Sequence, residues 1–257
     1  MKKLALLTAG SFFALTAAAS AADITNPFYI PAKTVMSDTS FNYEHDIVKV
    51  NGDKEKSYEK SAGEKLTFGF NDAFAVNASV KRIWERDAGE ADHDNNNVTG
   101  IGLTWKPVDT QSFKMSVNAD FATFSATKIY SGDVMFGYLP SNNVMLLAQL
   151  GYNETREKEN GNYENDRTPS VMVGAYAKQG AVNAFAGVKY DHEKAKEDIT
   201  DLYNLTASVG YQFNDKAALE LNSTYLLHVS YKYKPAPAAV DVKADRYTIG
   251  ANIKFVF

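Results

Sequence analysis

The chain ends with residues 247–257, YTIGANIKFVF, in which apolar residues alternate with mostly small or polar ones. Such alternation places every second side chain on the same face of a β-strand. A soluble protein rarely leaves so regular an apolar row on an edge strand. The segment therefore predicts a strand whose apolar face is covered by something other than water. The apolar row consists of Tyr247, Ile249, Ala251, Ile253, Phe255 and Phe257.

The first residues have the features of a secretory signal peptide. Two lysines precede an apolar stretch that ends in small residues, and we predict that residues 1–21 are removed on export. A membrane anchor helix is the weaker alternative, because the apolar stretch is short for a span. Residues 22–35 include two prolines and predict an irregular periplasmic lead-in. Residues 36–257 are predicted to form a single domain.

The composition of the mature chain narrows its class. Without the two signal lysines, 25 lysines and arginines stand against 31 acidic residues, a net charge of −6. This balance argues against nucleic-acid binding. The chain has no cysteine, and therefore no disulfide. Export, 15 tyrosines, 15 phenylalanines and widely spread alternation are together typical of a transmembrane β-barrel.

Alternating segments recur along the whole domain, separated by two kinds of connection. Tight turns alternate with longer, mostly charged connections, as in bacterial barrels with short periplasmic turns and long extracellular loops. A secreted β-sandwich would also alternate but would not show two connection lengths. We therefore predict an all-β fold, a single antiparallel transmembrane β-barrel of about 12 strands. The predicted strands span 36–50, 65–70, 73–86, 98–106, 112–125, 129–139, 144–153, 168–178, 181–191, 199–213, 217–229 and 247–257.

Aromatic residues on the apolar face fall at both ends of these strands. Membrane proteins place aromatic rings at the two interfaces between lipid and water, so the pattern predicts two girdles around an aliphatic band. The girdle at the ends near the long loops consists of Trp84, Tyr152, Tyr190, Tyr203, Tyr225 and Tyr247. The girdle at the ends near the tight turns consists of Phe70, Phe74, Trp105, Phe113, Tyr138, Phe213 and Phe255.

Together these features resemble Gram-negative outer-membrane β-barrel proteins of the porin-like superfamily. In that group a last strand ending in phenylalanine is the insertion signal, and Tyr247, Ile253, Phe255 and Phe257 match it. The resemblance covers the whole mature chain but reaches no particular subfamily. It implies location in the bacterial outer membrane and contact with its lipid and lipopolysaccharide. It also implies assembly by periplasmic chaperones and the outer-membrane insertion machinery.

The residues between the apolar positions are mostly small, polar or charged, and predict a hydrophilic interior. A barrel of eight strands is filled by side chains, and one of 16–18 strands leaves a wide channel. A barrel of about 12 strands should have an interior of intermediate width. We expect a narrow porin-like channel for passive diffusion of small hydrophilic solutes. Ion selectivity should be weak because both signs of charge are present. The predicted pore-lining residues are Glu44, Thr67, Ser79, Lys81, Thr104, Lys114, Asn118, Asp120, Asp133, Gln149, Lys189, Ser208, Gln212, Glu220, Asn222 and Asn252.

A barrel without an open pore fits the same pattern. Lysines and acidic side chains that pair across the lumen would close it. The protein would then be a structural or adhesin-like surface-interaction barrel, acting through its extracellular loops. Those loops are predicted at 51–64, 87–97, 154–167 and 231–242.

A membrane-embedded hydrolase is the second alternative. His228 is predicted to face inward near the rim, but its predicted neighbours Asn204 and Arg246 are not nucleophiles. We therefore expect no catalytic residues. The sequence also indicates no metal site and no cofactor.

Overall fold

Twelve antiparallel strands form one closed barrel in the computed structural model, which describes residues 24–50, 53–87, 94–159, 162–195, 198–233 and 242–257. The strands are β1 (Val35–Val50), β2 (Asp53–Asn71), β3 (Phe74–Asp87), β4 (Asp94–Asp109), β5 (Phe113–Phe124), β6 (Thr127–Ser141), β7 (Val144–Glu159), β8 (Asn162–Gln179), β9 (Val182–Lys194), β10 (Asp198–Asn214), β11 (Ala217–Tyr233) and β12 (Val242–Val256). Each strand pairs with its sequence neighbours, and β1 pairs with β12. The structure confirms the predicted fold.

The connections between strands define two ends of the barrel. At one end, the turn end, two or three residues join β2 to β3, β4 to β5, β6 to β7, β8 to β9 and β10 to β11. The chain also enters β1 and leaves β12 at this end. The opposite end is the loop end. Only the connections from β3 to β4 and from β11 to β12 are longer there, and β5 is joined to β6 by two residues. The described part of the chain contains no helix long and apolar enough to cross a membrane.

Exposure alternates along the strands as the sequence predicted. Leu150 and Leu221 are 54% and 56% exposed on the outer surface. Their sequence neighbours Gln149 and Glu220 are buried inside the barrel. Exposed aliphatic and aromatic side chains of this kind occur on all twelve strands. So continuous an apolar outer surface requires lipid rather than water around it.

The terminal segment closes the barrel. β12 pairs with β1 along an unbroken ladder. Beyond the last strand residue, the Phe257 N–H donates to the Val35 carbonyl at 2.9 Å. The Thr34 hydroxyl donates to the Phe257 carbonyl. The final phenylalanine therefore contributes backbone hydrogen bonds to closure, whatever its ring does during insertion.

Deletion of Phe257 should lower the free energy of unfolding by about 1–2 kcal/mol, because the two hydrogen bonds that its N–H and carbonyl make at the seam are lost. Urea unfolding of the refolded protein in lipid vesicles measures this. Phe257→Leu keeps both bonds and should match the wild type in that assay. Equal stability of the deletion and the wild type would contradict a backbone role for this residue.

The strands extend further at the loop end than predicted. The ranges 51–64 and 154–167, predicted to be long loops, are mostly strand, because β1 stays paired with β2, and β7 with β8, up to their short connections. The alternating pattern is lost there because both faces of a strand beyond the membrane contact water and need no apolar row. The predicted loop bounds of these two hairpins are therefore wrong. The predicted loops 87–97 and 231–242 lie partly outside the described residues.

His228 does not face the lumen. A register shift places Tyr203 opposite His228 and Asn204 opposite Leu226, so Leu227 is an extra residue in β11. Such a β-bulge reverses the side on which the following residues project. The His228 ring lies on the outer face, 5.9 Å from the Tyr203 ring between centres, and Leu226 is buried inside. The prediction of an inward His228 is wrong, which removes the candidate residue for a hydrolase.

Candidate channel lumen

All the predicted pore-lining residues alternate with outward-facing neighbours and lie on the inner wall. That any solute passes along them stays a prediction. The buried members are Glu44, Lys81, Gln149, Ser208, Glu220 and Asn252. The half-buried members are Thr67, Ser79, Thr104, Lys114, Asn118, Asp120, Asp133, Lys189, Gln212 and Asn222.

The interior contains a cavity of about 220 Å³ at mid-height and towards the loop end. The wall that β11, β12, β1 and β2 contribute is polar, with Asn222, Thr248, Asn42 and Ser61 among the lining residues. Apolar side chains line other parts of the cavity, including Phe124 of β5, Ile129 of β6 and Met172 of β8. The cavity is therefore amphipathic rather than uniformly polar.

Charges along the cavity lie in pairs between neighbouring strands. The Arg246 guanidinium lies 2.7 Å from a carboxylate oxygen of Asp46 and 3.7 Å from one of Glu44. The Lys81 ammonium lies 3.4 Å from a carboxylate oxygen of Glu59. Pairing of this kind cancels much of the field of each charge. Both signs of charge are present on this part of the wall, with three carboxylates beside two cations.

Two further ion pairs line other parts of the interior. The ammonium of Lys189 lies 2.8 Å from a carboxylate oxygen of Asp191 beside the cavity. Lys254 and Glu220 form a buried pair at 3.1 Å nearer the turn end, with side chains 3% and 8% exposed. Water therefore has little access to this second pair.

Hydrogen bonds fix polar side chains on the wall of β4, β5 and β6. The Thr104 hydroxyl donates to the Asn118 amide oxygen at 2.8 Å. The Asn118 amide nitrogen donates to a carboxylate oxygen of Asp133 at 3.0 Å. Buried polar groups that find partners hold their side chains in defined positions. This part of the wall is therefore preorganised.

The segment before β1 lies inside the barrel at the turn end. Ile24, Thr25 and Phe28 are each 2% exposed, and Ile30 is 6% exposed. The amide nitrogen of Asn183, on the inner wall of β9, donates to the Thr25 hydroxyl at 2.8 Å. We call residues 24–31 the plug segment. That the lead-in enters the lumen was left open by the sequence.

Backbone hydrogen bonds fasten the residues directly after the plug segment to β2. The Lys33 N–H donates to the Gly69 carbonyl at 2.7 Å, and the Gly69 N–H donates to the Thr34 carbonyl at 3.2 Å. The backbone of Pro31 passes so close to Gly69 that a Cβ there would overlap its carbonyl group. Only glycine at this position leaves room for the chain to turn into the lumen.

Phe28 anchors the plug segment in an apolar pocket on the opposite wall. The pocket, which we call the Phe28 pocket, belongs to inward-facing residues of four successive strands, β6 to β9. A Cβ at Gly137 of β6 would lie 2.7 Å from the Phe28 ring, so this glycine makes room for the ring. The residues buried with Phe28 are Met135, Met145, Leu147, Met172, Tyr176 and Phe185.

The sequence prediction of a hydrophilic interior missed this pocket. A signal was present, because residues 144–150, VMLLAQL, are apolar at both alternating phases rather than at one. A strand that is apolar on both faces has a second apolar surface to bury. In β7 that second surface is Met145 and Leu147, which are 1% and 4% exposed.

The predicted interface aromatics all lie on the outer face, and their contact with the lipid–water boundary stays a prediction.

At the loop end Tyr247 belongs to a larger cluster of aromatic rings that the sequence did not predict. The His45 ring stacks on Tyr58 at 4.8 Å between centres and meets Tyr247 edge-on at 5.3 Å. Tyr58 was missed because the second strand was predicted to begin only at residue 65.

Within the described residues, no group of three or more histidine, aspartate or glutamate side chains is placed to hold a metal ion.

Comparison with known proteins identifies the fold. No protein-family model matches the chain, and no curated protein matches it. Among solved structures, the COG4313 outer membrane channel from Pseudomonas putida F1 superposes with a TM-score of 0.70 at 8% identity, covering 90% of this chain and 98% of that one. The beta domain of the Bordetella autotransporter BrkA gives 0.60 at 10% identity, covering 86% and 98%. A Pseudomonas aeruginosa FadL homologue gives 0.52 at 10% identity, covering 88% and 92%. The chain therefore has the fold of a bacterial outer-membrane β-barrel.

Proposed function

We propose that the protein is a narrow channel for small polar solutes in the bacterial outer membrane, restricted at the turn end by the plug segment. The observation that carries this proposal is an amphipathic cavity, lined by polar and charged as well as apolar side chains, inside a closed barrel whose outer surface is apolar. A barrel that served only as a scaffold would have no need of an amphipathic space inside. The fold shared with an outer membrane channel supports the same conclusion.

The proposal also covers how the protein is exported and assembled. Residues 1–21, predicted to be a signal peptide, lie outside the described residues. We propose that they direct export, and that chaperones and the insertion machinery then recognise the terminal strand. The exposed aromatics would sit at the two lipid interfaces, with lipopolysaccharide around the loop end.

Single-channel conductance in a planar lipid bilayer tests the proposal. The refolded mature protein should give discrete and reproducible current steps, which are small because the plug segment fills the turn end. Absence of steps both in this protein and in a variant without the plug segment would contradict a channel.

Ion selectivity should be weak and should respond to single charges in the cavity. Lys81→Glu replaces a paired cation with a second carboxylate beside Glu59, and we expect the cation-to-anion permeability ratio to rise about threefold. Lys49→Glu makes the same charge change at an exposed position of β1 near the loop end, where salt screens it. Reversal potentials in a salt gradient measure both. An equal shift in the two variants would contradict a conduction path past Lys81.

A closed surface-interaction barrel is the second candidate, favoured by the filled turn end. Ile24 and Phe28 of the plug segment are buried there. This candidate predicts a protein that folds normally, conducts no ions even without the plug segment, and binds to cell surfaces or matrix. The conductance experiment therefore separates the two functions directly.

A further inference from the structure

We propose that the Phe28 pocket is a binding subsite for the apolar part of a permeating solute, with Phe28 occupying it in the closed state. The inference rests on the proposed channel function and names its substrate class. That class is small molecules that join an aromatic ring, or an apolar group of similar size, to a polar head.

The shape of the pocket fits a planar ring. Phe28 is 2% exposed, and Met145 beside it is 1% exposed. Gly137 supplies the space, because any side chain there would meet both the Phe28 ring at 2.7 Å and the Met145 sulfur at 2.8 Å. Methionine side chains adapt to different apolar shapes and contact aromatic rings favourably. A solute ring could therefore replace the Phe28 ring without rebuilding the wall.

The pocket adjoins the cavity instead of being sealed from it. Met172 belongs both to the Phe28 pocket and to the cavity wall. Its direct partner across the β8–β9 ladder is Lys189, which also lines the cavity and pairs with Asp191. Apolar and charged side chains thus meet at one height of the lumen. A solute could place its ring against Met172 while its polar head stays among the cavity charges.

The apolar residues of the Phe28 pocket do more than hold the plug segment in place. The plug segment is already held by the hydrogen bond from Asn183 to Thr25, and the residues directly after it are tied to Gly69 by backbone hydrogen bonds. If the segment leaves, inward apolar side chains of four strands contact the water in the lumen, which is unfavourable unless another apolar group covers them. A solute ring is such a group, and it would compete with Phe28 for the same place.

Osmotic swelling of liposomes that contain the refolded mature protein tests the inference with two matched solutes. L-phenylalanine and L-serine have the same charged head and differ in the ring. Met172→Asn should slow swelling in phenylalanine about fivefold relative to serine, because apolar contact is lost. Met172→Leu keeps the apolar contact and should preserve the wild-type ratio. Heat-modifiable mobility on gels confirms that each variant has folded.

Phe28→Ala provides a second test in the opposite direction. It removes the competing ring and should raise the phenylalanine rate more than the serine rate. If serine permeates and neither Phe28→Ala nor Met172→Asn changes the ratio, the subsite is overturned and the channel stands. If neither solute permeates through any variant, including one lacking the plug segment, the channel proposal itself fails and the subsite falls with it.

Discussion

Deletion of residues 22–31 from the mature protein is expected to raise single-channel conductance about tenfold, because conductance follows the narrowest cross-section of a pore. The plug segment fills the turn end of the lumen, where Ile24 and Phe28 are almost completely buried. The deletion stops before Lys33 and Thr34, which hydrogen-bond to Gly69 of β2 and to Phe257, so the barrel wall keeps these contacts. Recordings of both proteins in the same bilayer at the same salt concentration give the ratio.

Two substitutions sharpen this experiment. Phe28→Ala leaves the segment in place but removes its anchor, and should produce intermediate, flickering openings as the segment leaves and returns. Lys33→Ala changes an exposed side chain next to the segment and leaves its backbone hydrogen bond intact, so its conductance should match the wild type. The same small conductance in the deletion and the wild type would show that the restriction lies elsewhere in the lumen.

Leu150→Arg is expected to lower the free energy of unfolding in lipid vesicles by about 2–4 kcal/mol, the cost of an arginine at the bilayer midplane of a β-barrel. Leu150 lies on the outer face of β7 and is 54% exposed. Across the ladders it faces Val134 and Val171, which places it inside the aliphatic band. Urea titration followed by tryptophan fluorescence measures the change.

The control is the same substitution at the end of the same strand. Val144 begins β7 at the turn end, where the same substitution should cost only about 0–1 kcal/mol because arginine reaches the headgroups there. An equal loss of unfolding free energy for arginine at Val144 and at Leu150 would mean that the outer face of β7 does not contact the hydrocarbon core of the bilayer. The amount of folded, heat-modifiable barrel recovered from membranes should also be lower for Leu150→Arg than for the wild type.

The barrel architecture was predictable because one physical rule governs its outer surface. Lipid accepts only apolar side chains, so alternation is strict wherever a strand crosses the membrane. This is why the phases of β3, β9 and β12 agree with the structure. Beyond the membrane the rule no longer applies, and the upper part of β2 was predicted to be a loop. A single inserted residue, Leu227, was enough to reverse the predicted side of His228.

The interior was predicted less completely because no comparable rule applies to it. Polar residues at alternating positions indicated the hydrophilic wall, including Glu44, Lys81 and Asn252. The pairing of Arg246 with Asp46 depends on the contact between the first and last strands, which lie about 200 residues apart in the chain. The Phe28 pocket depends on bringing the start of the chain against β6 to β9. The local pattern of apolar and polar residues in the sequence does not predict such long-range contacts.

The closed seam also brings together the two ends of the barrel domain. β1 and β12 are the most distant neighbours in the chain, and contacts between distant segments form slowly. Phe28 lies just before β1, whereas its pocket belongs to strands in the middle of the sequence. Phe28 is the residue of the plug segment that fills the apolar pocket on β6 to β9. The start of the chain therefore contacts both the last strand, through β1, and the middle of the sequence, through Phe28, so it ties together two parts of the wall that are far apart in the chain.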